Sequence, residues 1–254
     1  MLVDTHIHLD AAEFERDREV VLGAARAAGV ERFVVPSVDV ANFDRVAALG
    51  AAHSDIRHAY GIHPLYVEGA GENDLEILAD RLATGGAIAV GEIGLDFHVD
   101  HPDPQLQQHF YIAQLKLAQR FGLPVILHVR RAVDAILKQL RRIDVPGGIA
   151  HAFNGSRQQA DMLIGMGFKL GFGGTMTFDG SRRIRELAVA LPLDALVLET
   201  DAPDIPPAWA RGERNEPANL CRYAEVLAGL RGMSAADVIA ATGANATRVF
   251  GDAL

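Results

Sequence analysis

The chain has 254 residues, of which 49% are hydrophobic and 22% charged, and carries a net charge of −9. These are globular proportions with ample material for a large core, and the acidic balance disfavours coating of duplex nucleic acid, which wants a basic face. Cys221 is the only cysteine, which excludes an intramolecular disulfide; no apolar run reaches the roughly 18 residues of a membrane span and no secretory leader is evident, so a cytoplasmic protein without membrane contact is expected.

In chain order, short β-branched, apolar runs alternate with stretches of helical period. The first run, LVDTH (2–6), leads to a helical pattern near 14–29 that stops at AGV, where glycine favours the left-handed conformation that ends helices. RFVVPS (32–37), HAYGIH (58–63) and AIAVGE (87–92) follow, separated by helical patterns near 40–52 and 74–84. Segment 104–121 sets Leu106, Phe110, Ile112, Ala113, Leu115, Leu117, Ala118 and Phe121 on a broad apolar face and stops at FGLP. Next come PVILHV (124–129), GGIAHAF (147–153), FKLGFGG (168–174) and ALVLETD (195–201). Helical patterns near 131–142, 156–166 and 181–190 lie between these runs, and two more follow near 216–230 and 234–249.

Eight such units with nearly all-apolar strands predict an α/β fold, a TIM (β/α)8 barrel forming one domain over 1–254, better than an open doubly wound sheet. No G-x-G-x-x-G follows the first run, which weakens a dinucleotide-binding alternative. The irregular segment 202–217, APDIPPAWARGERNEP, follows the last run and is expected to form a functional lip.

Barrel chemistry gathers at the C-terminal ends of strands. There the first run delivers His6 and His8, the third His63, the fourth Glu92, the fifth His128, the sixth His151 and the eighth Asp201. Side chains alternate along a strand, so His6 and His8 share a face while Ile7 turns toward the helices. One histidine at a strand end is ordinarily a hydrogen-bonded structural residue. Six ligand-type residues on five strand ends are not readily explained as separate accidents, and they exceed the needs of one tetrahedral ion. Imidazole suits Zn²⁺ or Mn²⁺ and carboxylate also Mg²⁺; Glu92 in a bridging position and Asp201 beside an attacking water would serve two divalent ions that acidify that water.

Other polar residues carry weaker signals. His53, His58 and His109 read as surface or connection residues, and His98 and His101 lack apolar framing. Arg130, Arg211 and Arg214 are candidates to meet an anionic substrate, and an anion contact is conceivable for Arg182, Arg183 and Arg185 at a helix start. Glu199, two residues before Asp201, reads as a carboxylate that supports a ligand, and Asp4 holds a similar position behind His6.

The stretches DTHIHLD, GIHP, VGEIGLD, PVILHVRRA, HAFNGS, GGTMTF, LVLETDAPDIPP and RNEP, with the tail GANATRVFG, resemble the TatD family of metal-dependent hydrolases over essentially the whole chain. The resemblance implies a TIM barrel that hydrolyses phosphoesters, typically as a DNase acting from 3′ ends. It implies that His6, His8, Glu92, His128, His151 and Asp201 are metal ligands, that Asp201 is also the general base, and that His63 polarises the substrate. Glu92 stands where related amidohydrolases carry a carbamylated lysine; the only lysines here are Lys116, Lys138 and Lys169. Arg131 and Asp179 depart from the acidic residue and the lysine of many members, and these departures bear on the substrate rather than on the ligands.

The expected function is therefore divalent-metal-dependent cleavage of DNA phosphodiesters at single-stranded ends, with two ions (Mg²⁺, Mn²⁺ or Zn²⁺) per chain. Hydrolysis of the ester of a D-aminoacyl-tRNA is the alternative enzyme reading, and a non-catalytic metal-binding partner protein is the alternative from another class. A monomer is compatible with each.

Overall fold

Strand β1 (Leu2–Asp4) pairs in parallel with β2 (Val30–Pro36), and β2 with β3 (Ile56–Ala59), in the computed structural model, which describes residues 1–254. A second parallel run takes β4 (Val90–Asp96), β5 (Val125–Arg130), β6 (Gly148–Ala150), β7 (Phe168–Phe172) and β8 (Leu196–Leu198) in chain order. Backbone hydrogen bonds join the two runs at both seams. Ile88 N donates to His58 O at 3.0 Å and Gly91 N to Tyr60 O at 2.9 Å, while Thr5 N donates to Leu198 O at 3.1 Å and Asp201 N to His6 O at 2.9 Å. The strands thus follow one another round a ring, in the TIM-barrel-like arrangement that the alternation predicts.

Nine helices clothe the strands: α1 (Arg18–Ala27), α2 (Phe43–Ala52), α3 (Glu72–Thr84), α4 (Pro104–Phe121), α5 (Val133–Leu140), α6 (Arg157–Gly165), α7 (Arg182–Ala190), α8 (Leu220–Arg231) and α9 (Ala235–Phe250). Their ends follow local chemistry. The Asp103 carboxylate accepts from Gln105 N and Pro104 occupies the first turn of α4, whose far end turns through Gly122 at φ 63°. Ser156 and Gln159 form a reciprocal capping box that opens α6. No helix is long and apolar enough to cross a membrane.

Burial divides into two main layers. A large cluster containing Ile7, Phe33, Leu95, Tyr111, Phe172 and Tyr223 lies between strands and helices. A smaller one gathers Val3, Val34, Ala59, Ile126, Ile149 and Val197 from six of the eight strands, with Ala89 just before β4, closed by Ala246, Phe250 and Leu254 from α9 and the residues after it. Alternate strand residues supply the two layers, as period-two side-chain geometry requires.

Several boundaries differ from the sequence expectation. β1 ends at Asp4; His6 follows it in a bend and His8 in irregular backbone. Their backbone still bridges neighbours, since Ile7 N donates to Val34 O and His8 N to Ala202 O. β4 extends to Asp96, so Glu92 lies within the strand rather than at its end, where the pairing with β5 shifts register between Val90 and Ile93. A local irregularity of this kind re-aims the side chains it carries.

Candidate metal centre

Glu92 within β4, His128 within β5 and the residues that follow β1, β3, β6 and β8 bring His6, His8, His63, Glu92, His128, His151 and Asp201 around one point. Ligand atoms of three overlapping sets, His6–Glu92–His151, His6–His8–Asp201 and His63–Glu92–His128, each lie within 4.8 Å of one another. Glu92, only 1% exposed, is the hub. Its Oε2 lies 3.2 Å from His6 Nε2 and 3.4 Å from His8 Nε2. Its Oε1 lies 2.9 Å from His128 Nδ1, 3.0 Å from His151 Nε2 and 3.4 Å from His63 Nε2. Asp201 closes the first side, with Oδ1 at 3.5 Å from His6 Nε2 and 3.6 Å from His8 Nε2. The backbone of Asp201 is left-handed, φ 58°, at the turn out of β8.

Two imidazole nitrogens, His6 Nε2 and His8 Nε2, face each other at 3.2 Å. Separations near 3.0–3.6 Å are the edges of a coordination polyhedron with bonds of about 2.1 Å, so this donor set fits divalent cations. Nitrogen and carboxylate donors together suit Zn²⁺ or Mn²⁺, with carboxylate also open to Mg²⁺.

A carboxylate behind one imidazole orients it, and a second faces another. The Asp96 carboxylate lies 3.0 Å from His128 Nε2, which leaves Nδ1 aimed at Glu92. Asp96 is itself clamped by Gln107 of α4, whose Oε1 accepts from Asp96 N and whose Nε2 donates to Asp96 O. Two turns further along α4, Gln114 treats Ile62 in the same way, at 2.7 and 3.0 Å. One helix face thereby locates the backbone beside both His63 and His128. On the opposite side, Glu199 accepts from Ala152 N, and its Oε1 lies 3.7 Å from His151 Nδ1. Asp4 accepts from Thr200 N and Thr200 Oγ1, pinning β1 to the residues after β8.

His63 differs from the other imidazoles. The Leu65 amide donates to its Nδ1 at 3.1 Å, so the proton of the neutral ring sits on Nε2, which points into the cluster. Burial pulls this histidine down to about 4, which keeps it neutral. It is therefore an N–H donor aimed at the centre rather than a lone-pair donor. Burial alone would raise the Glu92 carboxyl, but the surrounding imidazoles hold it well below the usual range. Glu199, buried with fewer partners, is pushed up to about 8.

The centre forms the floor of a cavity of about 1240 Å³. His98, Arg130, Arg183 and Asp204 also line it. The remaining candidates fall elsewhere. His101 pairs with Glu68 and His109 with Glu72 at the surface, and His53 lies against Glu19. His58 is half-buried and packs against Tyr60 rather than being solvated. Arg214 does not meet a substrate anion: its guanidinium is spent on Asp17 at 2.8 Å and Glu216 at 2.7 Å and lies over the Phe14 ring. Arg211 stands outside the cavity lining, and Arg185 donates to Met176 O. Asp96, Gln107 and Gln114 were not anticipated from sequence. The signal for Asp96 lay in its position four residues beyond Glu92 in the same run.

A parallel α/β barrel whose strand ends converge imidazoles on a buried carboxylate defines the class of metal-dependent hydrolases. Residues 3–251 match the model of the family described as TatD related DNase. The chain is 42% identical over 232 residues, 90% of each chain, to a protein of Escherichia coli K12 named as the uncharacterized metal-dependent hydrolase YjjV. The crystal structure of that TatD homologue superposes with a TM-score of 0.95 at 40% identity, covering 98% of this chain and 97% of the other. A protein of Klebsiella pneumoniae named 3′-5′ ssDNA/RNA exonuclease TatD is 32% identical over 259 residues, 98% of both chains. The chain belongs to the TatD family and is a metal-dependent hydrolase acting on ester bonds.

Proposed function

We propose that this hydrolase cleaves phosphodiester bonds of DNA at single-stranded 3′ ends, using two divalent cations. The observation that carries this reading is the division of Glu92: Oε2 faces His6 and His8, and Oε1 faces His128 and His151. His6, His8, Glu92 and Asp201 would hold one ion, and Glu92, His128 and His151 the other. The activity for which the TatD exonucleases are named, at 32% identity, supports the choice of substrate. A single free cysteine, Cys221, suits the reducing cytoplasm.

Bound divalent cations supply Lewis acidity toward a phosphoryl oxygen and acidify a water. The chain's own residues do the rest. Asp201 takes the proton of the attacking water. His63 donates its Nε2–H to a non-bridging oxygen as negative charge builds there. A P–O bond forms to the water oxygen, the P–O3′ bond breaks, and the departing O3′ takes a proton from solvent, so the shortened strand ends in a new 3′-hydroxyl while a 5′-mononucleotide leaves. Asp96 holds His128 in place throughout, while the Glu199 carboxylate faces His151 without a hydrogen bond to it, so little reorganisation accompanies reaction at His128.

Turnover of a 5′-labelled single-stranded oligonucleotide, in parallel with a D-aminoacyl-tRNA and with Mg²⁺, Mn²⁺ or Zn²⁺ supplied in turn, tests the reading. Stepwise release of mononucleotides is expected, lost in Asp201→Asn with the fold intact by circular dichroism. Hydrolysis of the tRNA ester alone would replace the proposal with the esterase reading, and full activity in Asp201→Asn would remove the proton-accepting role. Stoichiometric metal with no turnover of either would return the non-catalytic reading.

A further inference from the structure

The cavity above the centre is unevenly charged. It extends over the loops that follow β5, β6 and β7, and on that side stand Arg130, Arg131 and Arg183. All three are exposed. Arg130 has an Nη1 4.0 Å from Asp96, a carboxylate already engaged with His128. Arg183, in the first turn of α7, donates only to the neutral Asn154 side chain, at 3.2 Å. Arg131 takes part in none of the chain's ion pairs, whereas the other cavity acid on this side, Asp134, accepts from Gln159 at 2.8 Å. In a chain of net charge −9, this wall gathers three guanidinium groups, of which Arg130 is shared with Asp96 while the other carboxylate on this side, Asp134, pairs with none. A concave wall of that kind focuses field on an anion, and guanidinium forks match phosphate oxygens in pairs.

Arg131 has a further peculiarity. Its backbone is left-handed, φ 53°, a conformation that disfavours any side chain other than glycine's and asparagine's. Glycine there would relieve the backbone, so the position holds an arginine against local preference while its side chain lines the cavity.

We propose that Arg131 and Arg183, with Asn154 beside Arg183, form a subsite for the internucleotide phosphate next to the scissile one. This rests on the phosphodiesterase reading and deepens it. The subsite sets a minimum substrate: one phosphate lies at the metal centre and a second lies on the arginine wall, so chains with two or more phosphates are preferred over isolated diesters.

The test compares bis(p-nitrophenyl) phosphate, which has one phosphate, with the trinucleotide TpTpT, which has two internucleotide phosphates, and with pTpT, whose second phosphate is terminal. Variants are Arg131→Gly, Arg183→Gln and the double variant; each keeps its backbone conformation or helix, and thermal melting verifies folding. In the double variant the ratio of kcat/KM on TpTpT to that on bis(p-nitrophenyl) phosphate is expected to fall about 10- to 100-fold, chiefly through KM. Added salt should erode the wild-type preference more than that of the double variant. An unchanged ratio overturns the subsite, and a loss confined to pTpT overturns its assignment to an internucleotide phosphate. Absence of wild-type turnover on all three diesters would instead refute the phosphodiesterase reading. Calorimetric binding of TpTpT then decides the subsite separately, since a Kd equal in wild type and double variant overturns it and a weaker Kd in the variant upholds it.

Discussion

Gly171 lacks a side chain where the Glu199 carboxylate lies: a Cβ at this position would overlap both carboxylate oxygens of Glu199. Strand β7 thus leaves open the space in which β8's continuation aims a carboxyl at His151. Gly171→Ala is expected to cost about 1–3 kcal/mol through overpacking, read as a lower Tm. Combining it with Glu199→Ala should recover part of that loss, by about 0.5–3 kcal/mol of coupling in a double-mutant cycle. Strict additivity of the two changes would show that the carboxylate does not occupy this space.

The tautomer that Leu65 imposes on His63 separates donation from metal ligation. His63→Ala should lower kcat by about 10²- to 10³-fold while leaving metal content by mass spectrometry at the wild-type level. His63→Gln, which keeps an N–H donor, should restore part of the rate. Loss of metal in either variant would make His63 a ligand instead.

Asp96 acts through His128. Asp96→Asn removes the negative charge behind the ring while keeping its volume, and metal affinity is expected to fall about 10- to 100-fold. Titration with Zn²⁺ or Mn²⁺ under a competing chelator measures this directly. Equal affinity would reduce Asp96 to a backbone anchor held by Gln107.

The lip over 202–217 is tied down by Arg214, which binds Asp17 through both oxygens and also reaches Glu13 O. The Arg214 hydrogen bonds hold the Asp17 carboxyl below its usual value. A depressed carboxyl stabilises the fold above its unfolded value, 3.8, and that contribution fades as pH falls through the folded value. Arg214→Ala should lower Tm at pH 7 by ~2–4 °C, and the gap from wild type should narrow at acid pH below about 3.8. A gap that is constant with pH would place the effect in packing on Phe14 alone.

The fold was legible because its evidence is periodic: buried parallel strands are apolar throughout, and the helices between them have one apolar face. Strand ends were less so. β1 stops at Asp4 while burial runs on through Ile7, whose amide still bonds to Val34 O of β2 after the regular ladder has ended. The residues that converge at the centre were legible as chemical types at strand ends. Their supports were not, because Gln107 and Gln114 are polar residues on a helix and look solvent-facing until the barrel turns their carboxamides onto the backbone of Asp96 and Ile62. Arg214 misled for the converse reason: a cation in a long loop looks free, and only tertiary packing brings Asp17 to it.

The interior layer of the ring is sealed by α9 and the last residues of the chain: Ala246, Phe250 and Leu254 cover Val3, Val34 and Val197, and Arg32 donates to Leu254 O. During synthesis the eight strands emerge well before this plug. A chain with all its strands complete but without α9 is expected to leave that interior layer uncovered, for seconds at roughly 5–20 residues per second. The two extremities of the described chain are therefore partners, since Gly243 of α9 gives room to Met1 O. Docking of the last segment onto the first is the step that should convert a loose ring into a rigid one, and hydrogen exchange at Val3 and Val34 during refolding would time it.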